Sequence, residues 1–392
     1  MCDVDETLLD TFFSSNSYSE NTCRLYTLIL DNYRNYHKMN LEDLIEEAET
    51  EEEKGIKRRK RKINSRVLKW KKYLETDCEF SYNSIKSYVN TVINFYDFND
   101  IAPPKIKTKK GEIGLEQNKG RLMKREEIRK MADAGDARAR AVIYTLALTG
   151  ISQAELRRIT IDQIMRGASD LVGRSIRNIE DLLDTENELK NEILSVYITR
   201  DKVHHTFFMF LPAEALRPIF AYIRERLYSE NENVRPTPGS VVFVKDNGDP
   251  ITDHALRDVI VSAGESAGFK RVKEGAYAWW RGHALRKYFI STVKNKTGNS
   301  ELAEWLAGHK PRDTDETYWY KDVEDIKEQY IVALEYLSID EIRIKDFESK
   351  EYKEVMKSLS GVSWVLDLLD EDAVFREAAR DALKRRKEFN IN

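Results

Sequence analysis

The sequence predicts a mainly α-helical protein of two domains, with one small β-hairpin in the second domain and a helical tail. Three observations predict it. Apolar residues recur at helical spacing through most of the chain, two short alternating runs at 193–199 and 206–211 read as paired strands, and an apolar-poor, glycine-containing stretch at 105–121 separates two richer regions. The 392 residues suit this plan, since a domain takes roughly 100–200 residues.

The first domain is expected over 1–104. Tyr18, Ser19, Glu20 and Asn21 lead into a helix, on which Leu25, Leu28, Ile29, Tyr33 and Tyr36 are expected to share a face. A second helix over 81–98 places Ile85, Tyr88, Val89, Val92, Ile93 and Tyr96 together. Between them lies an acid-free basic run, 54–72, read as partly helical because it continues into Val67, Leu68 and Tyr73. Ile101, Ala102, Pro103 and Pro104 end this domain, and 105–121 is a basic linker.

The second domain is expected over 122–339. Helices are read at 124–134, 137–148 and 153–158, then the two strands around the turn 200–204, then a helix opening at Pro212, Ala213 and Glu214. A short strand is read at 241–244, and further helices at 253–266, 283–295, 300–306 and 323–336. The tail, 340–392, carries a stripe of Val362, Val365, Leu366 and Leu369, which suits a core or a partner-helix surface.

Charge narrows the classes. Charged residues make up 34% of the chain, against about 25% in an ordinary domain, yet the net charge is only −4. The average hides an acidic stretch at 46–53 beside the basic run. Lys57, Arg58, Arg59, Lys60, Arg61, Lys62, Arg66 and Lys69 form the candidate phosphate-contact set, against the plainer reading of a solvated helix face. Trp70 and Tyr73 read as packing residues rather than base readers. Cys2, Cys23 and Cys78 have neither disulfide-framework nor zinc spacing, so no metal site is expected. The acidic start has no signal-peptide core, and no apolar run approaches the ~18 residues of a membrane span. A soluble, cytoplasmic, nucleoid-associated protein is expected, with no membrane partner.

With six histidines in the chain, their positions carry information. His283 and Arg286 stand three apart in HALRKYF and share a helix face. Downstream, His309 follows Gly308, and Tyr318 comes nine residues later in GHKPRDTDETY, with Tyr320 as a competing tyrosine. Singly, each reads as a structural residue.

In this order and spacing they resemble the tyrosine recombinases of the phage-integrase family, whose second half carries H-x-x-R, then G-H, then a nucleophilic tyrosine. The stretches TCRLYTLILDNY, LIEEAETEE and SIKSYVNTVINFY resemble the first domain of archaeal integrases, and DVEDIKEQYIVALEYLSI resembles their catalytic-domain ending. The likeness covers about residues 10–339. It implies a two-domain DNA clamp with a core-binding domain at 1–104 and a catalytic domain at 122–339. It also implies catalytic roles for Lys202, His283, Arg286, His309 and Tyr318, with Lys202 in the hairpin turn.

One position departs from the family. Its first arginine belongs in T-G-x-R-x-x-E-L, which here reads Thr149, Gly150, Ile151, Ser152, Gln153, Ala154, Glu155 and Leu156. Ser152 takes the arginine's place. Ser152 and Glu155 fit a capping box, and the helix start could offer a phosphate some N–H groups, though not a bidentate guanidinium. Arg140 and Arg281 are candidates to fill the gap.

The resemblance implies a site-specific recombinase that cuts and rejoins double-stranded DNA through a 3′-phosphotyrosine. It would integrate or excise a mobile element such as an archaeal virus or provirus. No cofactor is expected, because a covalent step conserves the bond energy and no phosphate-cradling Gly-x-x-x-x-Gly-Lys loop is present. A homotetramer on DNA, monomeric or dimeric in solution, is the implied assembly. The rivals are a catalytically impaired DNA-binding accessory or regulatory protein of the same fold, and a type IB-like topoisomerase.

Overall fold

The structure is a computed structural model that describes residues 3–106, 121–200, 205–271, 277–309 and 322–340. Lys202, Tyr318, Tyr320, most of the linker and the tail stripe lie outside the described residues. The chain divides into two compact units, Met1–Glu116 and Gln117–Asn392.

The first unit is helical. It comprises α1 (Asp3–Ser15), α2 (Glu20–His37), α3 (Leu41–Glu53), α4 (Lys62–Thr76) and α5 (Tyr82–Phe98). Each of α2, α3 and α5 begins on a side chain that accepts a helix-start N–H: Ser19, Asn40 and Ser81 respectively. The core is aromatic-rich, with Phe12, Tyr33, Trp70, Phe95 and Tyr96 all buried. Trp70 keeps its indole N–H satisfied by donating to Asn32 Oδ1 at 2.8 Å, and Tyr73 packs on Tyr36 with ring centroids 4.8 Å apart. Both are packing residues, as expected. The expected face of α2 needs correction. Ile29, Leu30 and Tyr33 are buried, whereas Leu25 and Leu28 are 45% and 56% exposed and Tyr36 is also exposed. The apolar run at 28–30 spans more than one face of a helix, so periodicity alone did not select the side that meets the core.

The second unit is built around α7 (Ala137–Thr149). Every residue from Ala141 to Thr149 is buried, which is the pattern of a helix covered on all sides. Against it pack α6 (Arg125–Asp133), α8 (Gln153–Leu156), α11 (Ala213–Leu227), α12 (Asp253–Ser266), α13 (Gly282–Thr297) and α15 (Val323–Leu337). Between α8 and α11 run α9 (Ile161–Val172), α10 (Ile179–Asp184) and a two-stranded antiparallel sheet of β1 (Ile193–Arg200) and β2 (His205–Pro212). Its register pairs Ile193 with Pro212 and ends with Arg200 opposite His205. Leu194, Val196 and Ile198 face the core with Phe207, Met209 and Leu211, the alternation a half-buried hairpin requires. α14 (Ser300–Leu306) follows α13 after a left-handed Gly298.

The strand expected at 241–244 is not formed. Only isolated bridges occur there, Thr160 to Val241 and Val244 to Pro250. The buried Arg226 guanidinium takes the Val241 and Val242 carbonyls at 2.8 Å each, and Pro250 has no N–H to continue a ladder. The groups a strand would have used are already engaged. No helix among the described residues is long and apolar enough to cross a membrane.

Candidate active site

Three turns converge on one buried cation. The first ends α7 at Gly150, whose φ of 70° is left-handed and whose N–H returns to the Leu146 carbonyl. A Cβ at this position would lie 2.2 Å from Phe289 Cδ1, so the turn has room only for glycine. The second starts α13, where Gly282 presses on α8: a Cβ there would meet Gln153 Cδ at 2.6 Å. The third ends α14 at Gly308, φ 67°, packed against the Phe207 ring of β2. Phe207 pairs with Ile198, two residues along β2 from the Arg200–His205 pair, so β2 is packed against the turn that precedes His309.

Arg286 sits among these turns and is only 8% exposed. Its guanidinium donates to the Gly150 carbonyl, to the Ala307 carbonyl at 2.8 Å and to His309 Nε2 at 2.8 Å. Two of these acceptors are carbonyls at the C-terminal ends of α7 and α14, groups with no partner inside their own helices. A cation at such ends is electrostatically favoured. Arg286 therefore closes two helix ends and holds His309 at once.

His309 is gripped from its other side. Its Nδ1 meets the Glu304 carboxylate, and its backbone N–H donates to the Glu304 carbonyl at 3.0 Å. Glu304 also pairs with Lys294 of α13, and hydrogen bonds from Lys294 first and His309 second hold its carboxyl below the usual range. Hydrogen positions follow from this network. A carboxylate accepts only and a guanidinium donates only, so the proton of His309 is on Nδ1 and its Nε2 is an acceptor.

His283 is exposed, one turn before Arg286 on α13. Partial burial, then the charges of Arg281, Arg286 and Lys287, hold its imidazole below the ordinary value of 6.5. It is mainly neutral at pH 7 and able to accept a proton.

Ser152 forms the expected capping box. Its N–H donates to Glu155 Oε2 at 2.6 Å, and Glu155 N–H donates to its hydroxyl at 3.4 Å. These N–H groups are thus engaged, and α8 is a single turn, so the expected helix-start support for a phosphate is not offered by them. Of the two candidate substitutes, Arg140 lies at the opposite end of α7, paired with Asp133 and lying over Tyr144. Arg281 immediately precedes Gly282 and is exposed, its guanidinium 4.7 Å from the Tyr277 ring centroid.

The structure thus brings His283, Arg286 and His309 together, and Lys202 and Tyr318 lie outside the described residues. Glu304, Lys294 and the two helix-end carbonyls were missed from sequence. Glu304 had a signal: Gly308 N–H to Trp305 and His309 N–H to Glu304 form a Schellman motif, which places the side chains flanking a helix-ending glycine side by side.

In the first unit the basic run is split. Arg61 pairs with Glu52, Lys62 with Glu47 at 2.8 Å and Arg66 with Glu47 at 2.5 Å; Arg58 donates to the Pro103 carbonyl. Lys57, Arg59, Lys60 and Lys69 are exposed and have no ion-pair partner among the described residues. No three His, Cys, Asp or Glu side chains gather as a metal-binding group among the described residues.

Among solved structures, the chain is similar to a lambda integrase dimer bound to a COC′ core site. The TM-score is 0.52 at 13% identity, covering 81% of this chain and 98% of that one. A lambda integrase tetramer bound to a Holliday junction gives 0.50 at 14%, covering 81% and 79%. The site-specific recombinase XerH bound to its difH substrate gives 0.44 at 17%, covering 68% and 69%. No family model and no curated protein matches the sequence. The chain has the mainly helical fold, with a small antiparallel sheet, of the tyrosine recombinase lambda integrase.

Proposed function

We propose that this chain is a tyrosine site-specific recombinase that cleaves and rejoins double-stranded DNA for the integration or excision of a mobile element. The observation that carries the reading is the convergence of Arg286 and His309 on the ends of α7 and α14, with His283 one turn before Arg286 on α13, in a chain of this fold. The sequence resemblance supports an archaeal element as the setting. The 1–104 domain would bind the duplex, and the chain would act as a tetramer, the state in which the similar lambda integrase is seen on a Holliday junction, with the 340–392 tail docking on a neighbouring protomer.

In this mechanism the Tyr318 phenol attacks the scissile phosphorus. The phenol, with a pKa near 10, passes its proton to neutral His283. A bond forms between Tyr318 Oη and phosphorus as the bond to the 5′ oxygen breaks, and Lys202 protonates that leaving oxygen. Arg286 holds non-bridging oxygens whose charge grows in the transition state, with His309 beside it. The 3′-phosphotyrosine conserves the bond energy, and attack by a 5′ hydroxyl reverses each step. The reaction is proposed to need neither metal nor ATP.

Ser152 favours a second reading, a DNA-binding regulator with an impaired site, because its hydroxyl and N–H are both committed to the capping box. One experiment separates the two. Purified protein is incubated with supercoiled DNA carrying the element's own attachment region, in EDTA, then denatured and examined for a covalent adduct. An adduct lost in Tyr318→Phe and retained in Tyr320→Phe supports the recombinase. Tight DNA binding without adduct supports the regulator.

A further inference from the structure

A Schellman motif ordinarily brings two apolar side chains together across the helix end. At the end of α14 the two positions are Glu304 and His309, and they hydrogen-bond instead. Glu304 is itself fixed by Lys294 of the preceding helix. The result is a continuous chain, Lys294–Glu304–His309–Arg286, in which each member has only one role compatible with its neighbours. With the carboxylate accepting at Nδ1, the imidazole must present a lone pair at Nε2, and that lone pair receives an N–H of Arg286 at 2.8 Å.

We propose that Glu304 is a positioning residue of this site, which fixes His309 as its Nδ1–H tautomer and thereby orients the Arg286 guanidinium. The proposal rests on the reading of Arg286 as the phosphate-handling group that His309 holds in place. A carboxylate that orients a working histidine through its remote nitrogen is a recurring device. Here the helix stop itself supplies it, at a position where an apolar residue would satisfy the fold. Glu304 acts through His309 and does not touch the phosphate.

The test uses two variants of the full chain and two readouts. Glu304→Gln keeps an acceptor for Nδ1–H; Glu304→Leu restores the apolar contact usual in this motif, so it preserves the fold but removes the acceptor. The first readout is the ¹⁵N spectrum of the imidazoles, with His309 assigned by comparison with His309→Asn. The second is the rate of covalent adduct formation on DNA. The native protein and Glu304→Gln are expected to show His309 protonated on Nδ1, with adduct rates within about threefold of each other. Glu304→Leu is expected to move the proton to Nε2, the form free histidine prefers, and to slow adduct formation about 10–100-fold while its melting midpoint stays close to native.

Native His309 found protonated on Nε2 overturns the proposal. So does a Glu304→Leu protein whose tautomer changes while its adduct rate does not, since the contact would then be structural alone. A native protein that forms no adduct, yet shows the stated tautomers, keeps the tautomer assignment and overturns the recombinase reading.

Discussion

Arg286 donates an N–H to His309 Nε2 at 2.8 Å while its guanidinium also closes the Gly150 and Ala307 carbonyls. The site's central cation is thus also a structural tie between α7 and α14, and its removal has two consequences. A lysine there keeps the charge but presents a point donor in place of a planar fork. At least one helix-end carbonyl loses its partner, at a cost of about 1–3 kcal/mol.

Arg286→Lys is therefore expected to lower the melting midpoint by several degrees and to slow adduct formation about 10²–10³-fold. Calorimetry and the adduct assay check the two effects on one preparation. A variant that melts like the native protein would show that the tie does not form.

Gly150→Ala tests the turn that aims the carbonyl at Arg286. A side chain there meets a left-handed φ of 70° and the Phe289 ring at 2.2 Å. Overpacking and backbone strain together are expected to destabilise the second unit by roughly 2–4 kcal/mol. Gly173→Ala has a similar φ of 69° with nothing within 4 Å of the added carbon, and thermal melts should show the smaller loss for it.

The sequence made the second unit's order of elements legible because strong periodicity coincided with recognisable stops. Gly150, Gly298 and Gly308 each end a helix, and the alternation at 193–199 and 206–211 became the two strands of the hairpin. What failed was local pattern without its partner. Leu25 and Leu28 have the apolar character of a core face, but which side of α2 turns inward depends on where Trp70 and Tyr96 lie. Val241 and Val242 look like strand residues until Arg226 claims their carbonyls. In the candidate site, His283, Arg286 and His309 were singled out only through the resemblance that their order carries, and the structure sets Arg286 against His309. The helix-end carbonyls were not legible, because backbone groups leave no letter in a sequence.

The split of the basic run gives a prediction for DNA binding. Replacing Lys57, Arg59, Lys60 and Lys69 together by glutamine removes exposed cations that have no ion-pair partner among the described residues. The slope of log affinity against log salt should shrink by about 0.9 for each lost phosphate contact, with stability within about 0.5 kcal/mol of native. Arg66→Gln should instead destabilise the first unit, because Glu47 loses the partner whose hydrogen bond most lowers its pKa. Fluorescence anisotropy over a salt series, with melts alongside, separates the two sets. An unchanged slope in the fourfold variant would remove these residues from the DNA interface.

The pH dependence follows from His283. Burial and the charges of Arg281, Arg286 and Lys287 depress its pKa, so the proton-accepting form persists as pH falls below 6.5. Adduct formation should hold its rate through neutral pH and be lost only below that value, as the imidazole becomes charged. Arg281→Ala removes one of the depressing charges, and its acid limb should move to higher pH. A limb that stays in place would mean His283 is not the proton acceptor.

Ser152→Arg is the substitution on which the catalytic reading turns. The native serine caps α8 and its N–H is held by Glu155, so losing the side-chain cap costs about 1 kcal/mol. Against that, a guanidinium at the α7–α8 turn stands beside Gly282 and the start of α13, where it supplies a second bidentate donor for phosphate oxygens. One such donor is commonly worth about 10²–10³ in rate. The variant is expected to melt a few degrees lower and to form adduct faster by up to that factor. Arg281 bears on the result, because it is the exposed arginine next to Gly282. If Arg281 already serves the phosphate, Arg281→Ala slows adduct formation by the native protein sharply but scarcely affects Ser152→Arg. If it does not, Arg281→Ala leaves the native rate of adduct formation nearly unchanged, and the gain from Ser152→Arg measures what the site lacks.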